Sequence, residues 1–214
     1  MVKIKRKQKH GFGSFGKENI SLLEGVIISS FFPEAEDMTI KEIIERIDYS
    51  YERVNTALKS LVKKGIVKEK KVGKTLVYFL DLHNLYAEIG FNHYMLEREI
   101  ELIKKHPKIF KVIKELEKQP FEMIILFGSY SKGNETKHSD VDLMIITDKK
   151  NKENEIYGLK HLYNLDFAPV FVKWQEFPKI KKENPELWNS LKKFSIVFRG
   201  DDLYYYWMYK DEKN

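Results

Sequence analysis

Between residues 121 and 147 two apolar runs flank a polar segment that holds a Gly-Ser pair and a spaced pair of acids, and this order restricts the fold more than any other stretch. Residues 121–127, polar only at Glu122, have the length and composition of a strand buried on both faces. The run breaks at Gly128-Ser129. A second apolar run, residues 143–146, follows Ser139-Asp140-Val141-Asp142. If Asp140 and Asp142 open that second strand, their side chains share one face, because strand side chains alternate with period two. Two carboxylates held side by side repel each other and stay ionised together only with a cation between them. Magnesium takes such oxygen ligands and leaves room for phosphate oxygens. Just upstream, glycine lets backbone amides approach an anion, and a turn into a helix start aims unpaired N–H groups at it. A phosphate cradle beside metal-holding carboxylates is suited to moving a nucleotidyl group.

Gly128-Ser129 followed by Asp140-x-Asp142 resembles the signature of the polymerase β-like nucleotidyltransferases, in their minimal branch, and Ser139 and Lys132-Gly133 strengthen the likeness. It covers roughly residues 105–209, about half the chain. A lone Gly-Ser has no such meaning: Gly13-Ser14 lies in GFGSFG, with no strand before it and no acid pair after it, and reads as a flexible linker. The competing reading of Asp140 and Asp142 is a polar strand start with a solvated acid pair. The resemblance implies that ATP or another nucleoside triphosphate binds at Gly128, Ser129, Lys132 and Ser139. It further implies that Asp140 and Asp142 hold one or two Mg²⁺, and that an acceptor hydroxyl attacks the α-phosphorus while pyrophosphate leaves. It also implies a third carboxylate, on the strand over residues 166–172, which draws the proton from the acceptor. Alignment with that strand puts the acid at Ala168, whereas the only acid there is Asp166. The third catalytic carboxylate is therefore Asp166, displaced, or it is missing. Pro169 in mid-run points to an edge strand or a bulge.

The charge of the chain is unevenly placed. Residues 1–80 hold 16 Lys and Arg against 10 Asp and Glu, whereas residues 81–214 hold 22 of each. A localised basic surface favours polyanions, although solvated lysines alone give the same count. The order of elements is more telling. Residues 20–31 read as an apolar helix stopped by Pro33, and Thr39 with Glu42 forms a capping box that opens a second helix. Ser50 is expected to cap a third helix, which buries Val54, Leu58, Leu61 and Val62 and ends at Gly65. Residues 66–69 and 75–80 then read as two strands around a turn at 70–74. This sequence of elements resembles a winged helix-turn-helix domain, whose third helix enters the major groove of duplex DNA. That resemblance assigns Tyr51, Arg53, Asn55, Thr56, Lys59 and Lys63 to the DNA face of the third helix. It assigns Lys70, Lys71 and Lys74 to a wing that contacts phosphates. A winged helix used only for protein contact is the competing reading.

The expected fold class is α+β: a basic flexible tail (1–16), a winged helix-turn-helix domain (17–83), a helical connector (84–118) and a nucleotidyltransferase domain (119–214) with a mixed sheet flanked by helices. In the connector, Leu85, Ile89, Leu96, Ile100 and Ile103 form a stripe expected to pack onto a neighbouring domain, and this helix is also the best candidate for joining a homodimer on palindromic DNA. Residues 153–163 read as helix, residues 195–198 as a strand, Asp201-Asp202 as a solvated turn, and the aromatics over 203–209 as core or interface. No run approaches the roughly 20 apolar residues of a membrane span, the basic start at residues 1–9 has no apolar core behind it, and there is no cysteine, which suits a cytoplasmic protein. Two functions of different class follow. One is an active Mg²⁺-dependent nucleotidyltransferase with a DNA-binding domain, its acceptor in this minimal branch often a hydroxyl on a partner such as a HEPN-type toxin. The other is a transcriptional regulator whose nucleotidyltransferase fold is catalytically degenerate and serves as a nucleotide sensor or dimerisation scaffold.

Overall fold

Ser21 starts the first helix by a reciprocal cap: its hydroxyl accepts from the Glu24 amide, and the Glu24 carboxylate accepts from the Ser21 amide. The computed structural model of the chain describes residues 19–149 and 153–211; the tail expected at 1–16 and residues 150–152 lie outside the described residues. From the cap, α1 runs Leu22–Ser30. A short strand, β1 (Met38–Thr39), leads into α2 (Ile40–Arg46), opened by the expected Thr39–Glu42 box. Next comes α3 (Tyr51–Lys63). Ser50 stands at its N-cap in extended backbone, but its side chain makes no capping bond, so its expected role is filled in position only. At the other end the Gly65 amide donates to Val62 O at 3.0 Å and the Ile66 amide to Leu61 O at 3.1 Å, closing the helix as expected.

The wing differs from the sequence expectation. β2 (Val67–Val72) does not stop at residue 69 but runs on through the lysines to pair with β3 (Thr75–Leu80), Val72 facing Thr75. Only Gly73-Lys74 remains as the turn, and Gly73 supplies the positive φ (61°) that a two-residue hairpin needs. A hairpin open to solvent is held by backbone bonds, so a polar run over 68–71 does not end the strand. The sheet order is β1-β3-β2, which with α1 to α3 makes a winged helix.

Two helices, α4 (Leu85–Lys105) and α5 (Pro107–Leu116), lead to a second sheet. Its strands are β4 (Met123–Leu126), β5 (Val141–Ile146), β6 (Phe167–Val172) and β7 (Ile196–Arg199), in the order β6-β5-β4-β7. β5 and β6 are parallel and the other pairs antiparallel, so the sheet is mixed and the expected α+β class holds. A short helix, α6 (Gly128–Lys132), connects β4 to β5, and α7 (Glu153–Tyr163) makes the crossover to β6. Then α8 (Ile180–Glu183) and α9 (Pro185–Phe194) precede β7. Asp201 and Asp202 are not a bare turn but the first turn of α10 (Asp201–Tyr205), which continues as one π-helical turn, Tyr206–Lys210.

The two central strands are buried on both faces, and the period-two alternation assigns the faces. Ile124, Leu126, Leu143 and Ile145 pack with Ile109, Val112, Ile113 and Leu116 of α5. Met123, Ile125, Met144 and Ile146 face a second core that runs on without a break into the winged helix. The closing aromatics fill that core. Phe91 lies 5.9 Å from the Tyr204 ring, 5.3 Å from Tyr205 and 5.4 Å from Tyr209. Each buried phenol finds a carbonyl: Tyr204 donates to Leu191 O, Tyr205 to Leu82 O and Tyr209 to Pro33 O, at 2.8, 2.8 and 2.9 Å. Residues 203–209 therefore join the two halves of the chain.

The connector stripe is a correction. α4 buries Ala87, Gly90, Phe91, Met95 and Leu102, while Leu85, Ile89, Leu96 and Ile100 stay exposed. Small residues decide which face docks, because they let α4 cross close over α1. A Cβ at Gly90 would lie 2.4 Å from Ile28 Cγ2. Gly90→Val should therefore lower unfolding stability by about 3 kcal/mol, the upper end of ordinary overpacking losses; a denaturant midpoint equal to wild type would show that the crossing has slack.

Candidate active site and DNA-facing surface

β4 ends at Leu126, Phe127 follows in extended backbone, and the chain turns into α6 at Gly128 with φ 72°. The turn is pressed onto β5. The Phe127 amide donates to Asp142 O at 3.0 Å, and a Cβ at Gly128 would lie 1.8 Å from Asp142 Oδ2. Both the left-handed backbone and the missing side chain are thus required at residue 128. The Ser129 amide donates to the Asp142 carboxylate. Asp142 sits half-buried in the strand, and Asp140 stands exposed one residue before it begins. Burial first, then the charge of Asp140, push the Asp142 carboxyl up; the Ser129 amide and Lys132 pull it down without prevailing. Two crowded carboxylates beside a bare turn form an oxygen-only donor set that suits a hard divalent cation shared with phosphate oxygens. Among the described residues no group of three or more His, Cys, Asp or Glu side chains is placed to hold a metal alone, so such an ion needs further oxygens from its partner.

The other expected nucleotide contacts are close by. Lys132, exposed at the end of α6, has its ammonium 5.3 Å from the centre of the Phe194 ring. The Ser139 hydroxyl is engaged within its own loop, accepting from the Thr136 amide at 2.9 Å and meeting the Thr136 hydroxyl at 3.2 Å. It shapes the approach to Asp140 rather than facing outward as a free donor.

The third carboxylate is where the sequence expectation meets its difficulty. The parallel register pairs Asp142 with Ala168 and runs unbroken through Pro169 to Val172. β6 is an edge strand, one of the two options that Pro169 suggested, and its ladder with β5 shows no bulge. Asp166 lies before the strand, 66% exposed, and its carboxylate takes the Lys160 ammonium at 2.6 Å. Two residues of strand are about 7 Å. A methyl group therefore stands beside Asp142 where a third acid is expected.

On the winged helix, α3 buries Val54, Ala57, Leu58 and Leu61 and turns Tyr51, Arg53, Thr56, Lys59 and Lys63 outward, with Asn55 half-buried. The Arg53 guanidinium lies 4.8 Å from the centre of the Tyr49 ring, and the Thr56 hydroxyl donates to Glu52 O. On the wing, Lys71 and Lys74 are exposed, with no carboxylate partner among the described residues. Lys70 differs: its ammonium meets Asp37 at 2.5 Å.

Sequence reading missed three residues that hold the site together. Arg98 of α4 donates to backbone carbonyls of α6 and of the α9 end. His106, between α4 and α5, meets Glu135 of the loop before β5 at 2.8 Å. These pairings span 29 to 97 residues and follow no periodicity, so no local signal marks them.

Residues 106–201 match the family model of the nucleotidyltransferase domain, and residues 20–102 match that of the penicillinase repressor. Two Methanocaldococcus jannaschii proteins, provisionally named protein adenylyltransferases, are similar to this chain. One is 41% identical over 51 residues, which is 24% of this chain and 46% of that protein. The other is 27% identical over 90 residues, 38% of this chain and 60% of that protein. The chain thus spans about half the length of the curated relatives it matches. No solved structure matches the chain, and no helix among the described residues is long and apolar enough to cross a membrane. The chain joins a penicillinase-repressor domain, a winged-helix DNA-binding module, at residues 20–102 to a nucleotidyltransferase domain at residues 106–201.

Proposed function

We propose that this chain transfers AMP from ATP to a hydroxyl group on a partner protein in a Mg²⁺-dependent reaction, and that its repressor-like half binds duplex DNA. The observation that supports this most is the Gly128 turn pressed onto Asp142 beside Asp140, in a chain whose archaeal relatives are named protein adenylyltransferases. The Gly128-Ser129 backbone and Lys132 receive the triphosphate, and Ser139 keeps the loop before Asp140 closed. Asp140 and Asp142 hold the Mg²⁺, which when bound offsets the negative charge of the phosphate oxygens. With the phosphates fixed, the rate comes chiefly from holding the acceptor hydroxyl in line with the α-phosphorus. A catalytic role for Asp166 requires that Lys160 release it. A HEPN-type toxin is the first acceptor to test, and a cytoplasmic setting suits an ATP-consuming, DNA-binding protein. The exposed stripe of Leu85, Ile89, Leu96 and Ile100 supports a homodimer joined along α4.

The test is transfer of α-labelled ATP with Mg²⁺ to that acceptor by the full chain. Label on the acceptor is the expected result. A second reading, a regulator that senses nucleotide without transferring it, is supported by the methyl group of Ala168 beside Asp142 and the Lys160–Asp166 pair. Triphosphate binding without label on any acceptor would favour that reading and sink ours.

For DNA, the binding constant should fall steeply with salt. Lys71→Ala with Lys74→Ala should lower the log–log salt slope by about 1.8, two phosphate contacts at about 0.9 each. Lys70→Ala should change it less, because Asp37 already holds that charge. Arg53→Ala or Asn55→Ala should relax preference at single bases, costing roughly 1–3 kcal/mol each. The full chain is the right object, since the core of the winged helix continues into Phe91 and Tyr205. A chain that shifts no duplex even at low salt would leave the winged helix to protein contact.

A further inference from the structure

Arg98 lies halfway along α4, half-buried, and no carboxylate among the described residues pairs with it. Its guanidinium is engaged by carbonyls instead. One terminal nitrogen donates to Ser131 O at 2.6 Å and Phe194 O at 2.9 Å; the other donates to Ser195 O at 2.9 Å and lies 3.5 Å from the Tyr94 hydroxyl. Ser131 is the next-to-last residue of α6, Phe194 the last of α9, and Ser195 caps α9. One cation thus gathers the carbonyl ends of two helices, a pairing that a charged donor makes stronger than a neutral one.

The position of α6 depends on such anchors. With five residues it has few internal bonds, the Gly133 amide to Ser129 O and the Ser131 hydroxyl to Gly128 O among them. Ser131 O is within about one helical turn of the Ser129 amide that meets Asp142. The fork of Arg98 is planar and pre-organised, so it fixes direction as well as distance. Its own backbone is fixed in turn, because α4 is seated on α1 at the Gly90–Ile28 crossing.

We propose that Arg98 is a positioning residue for the triphosphate: it holds α6 so that the Gly128-Ser129 turn keeps its seat against Asp142. It touches neither nucleotide nor acceptor. The inference rests on the functional reading above. It further places the support of the phosphate turn on a helix of the repressor-like half, outside the residues matched to the nucleotidyltransferase domain.

The experiment compares full-length wild type, Arg98→Met and Arg98→Lys, measuring affinity for the non-hydrolysable analogue α,β-methylene-ATP with Mg²⁺ by calorimetry and affinity for duplex DNA without nucleotide. Arg98→Met should weaken the analogue by about tenfold. Arg98→Lys, which keeps the charge and three donors, should recover most of that loss. DNA affinity should stay within about twofold of wild type, since the hydrogen bonds of Arg98 go to Tyr94, Ser131, Phe194 and Ser195 and not to α3 or the wing. In transfer, the loss should fall on KM for ATP and spare kcat, the pattern of a group that sets ground-state placement. Equal analogue affinity in wild type and Arg98→Met overturns the proposal. So does a parallel loss of DNA affinity in both variants, which would make Arg98 a general support of the fold. A wild type that does not bind the analogue overturns the functional reading itself, and this inference with it.

Discussion

Asp140→Asn combined with Asp142→Asn should abolish metal-dependent triphosphate binding while leaving the chain folded. Both carboxylates are needed for one reason: each amide oxygen that replaces a carboxylate oxygen keeps a lone pair but removes the charge that draws a dehydrated divalent cation. Binding of ATP in calorimetry with Mg²⁺ should fall by at least about a hundredfold, the loss of roughly 1.4 kcal/mol per factor of ten applied to two charge-assisted contacts. The fold should not suffer. Asp142 is disfavoured as an anion by its burial and by Asp140, and Asn removes that conflict while still accepting from the Ser129 amide. The melting temperature of the double variant should equal or exceed that of wild type without metal. Equal ATP affinity in the two proteins would remove the acid pair from the site. A chain that failed to fold would mean that the pair is structural.

The second large effect concerns the position opposite Asp142. Ala168→Asp should place a third carboxylate on the β5–β6 ladder directly beside Asp142, because the register is continuous there. Without metal the variant should be less stable, as like charges facing each other across strands cost roughly 0.2–1 kcal/mol. With Mg²⁺ and ATP that deficit should reverse, so the rise in melting temperature on adding both should exceed that of wild type. If the new carboxylate also accepts the acceptor proton, transfer should rise by about a hundredfold, the low end for a well-placed general base. Asp166→Asn is the companion measurement. Asp166 is largely exposed and held by Lys160, so its loss should change transfer by less than about threefold, well short of a general-base effect. A collapse of transfer in Asp166→Asn, with ATP affinity unchanged, would return Asp166 to the catalytic list and show that Lys160 releases it during turnover. An Ala168→Asp chain indifferent to Mg²⁺ would mean that this side chain turns away from Asp142.

Local chemistry decided much of what the sequence could reveal. The Thr39–Glu42 capping box, the helix end at Gly65, the two apolar strands, the turn at Gly128 and the Asp140–Asp142 pair are set by neighbours within a few residues, where propensity and alternation act. The two-domain order was legible for the same reason, as each half carries its own run of such signals. Three features needed the folded chain. The docking face of α4 followed from how closely Gly90 could approach Ile28, not from the longer apolar stripe, because contact between helices rewards a short separation as well as greasy side chains. The wing lengthened through its lysines because pairing with β3 satisfies backbone groups whatever the side chains carry. The neighbourhood of the candidate site was completed by pairings with no periodicity: Ala168 facing Asp142, Asp166 drawn off by Lys160, and Arg98 reaching Ser131, Phe194 and Ser195. Strand register and long-range hydrogen bonds depend on where distant segments come to lie, and those places exist only once the common core has formed.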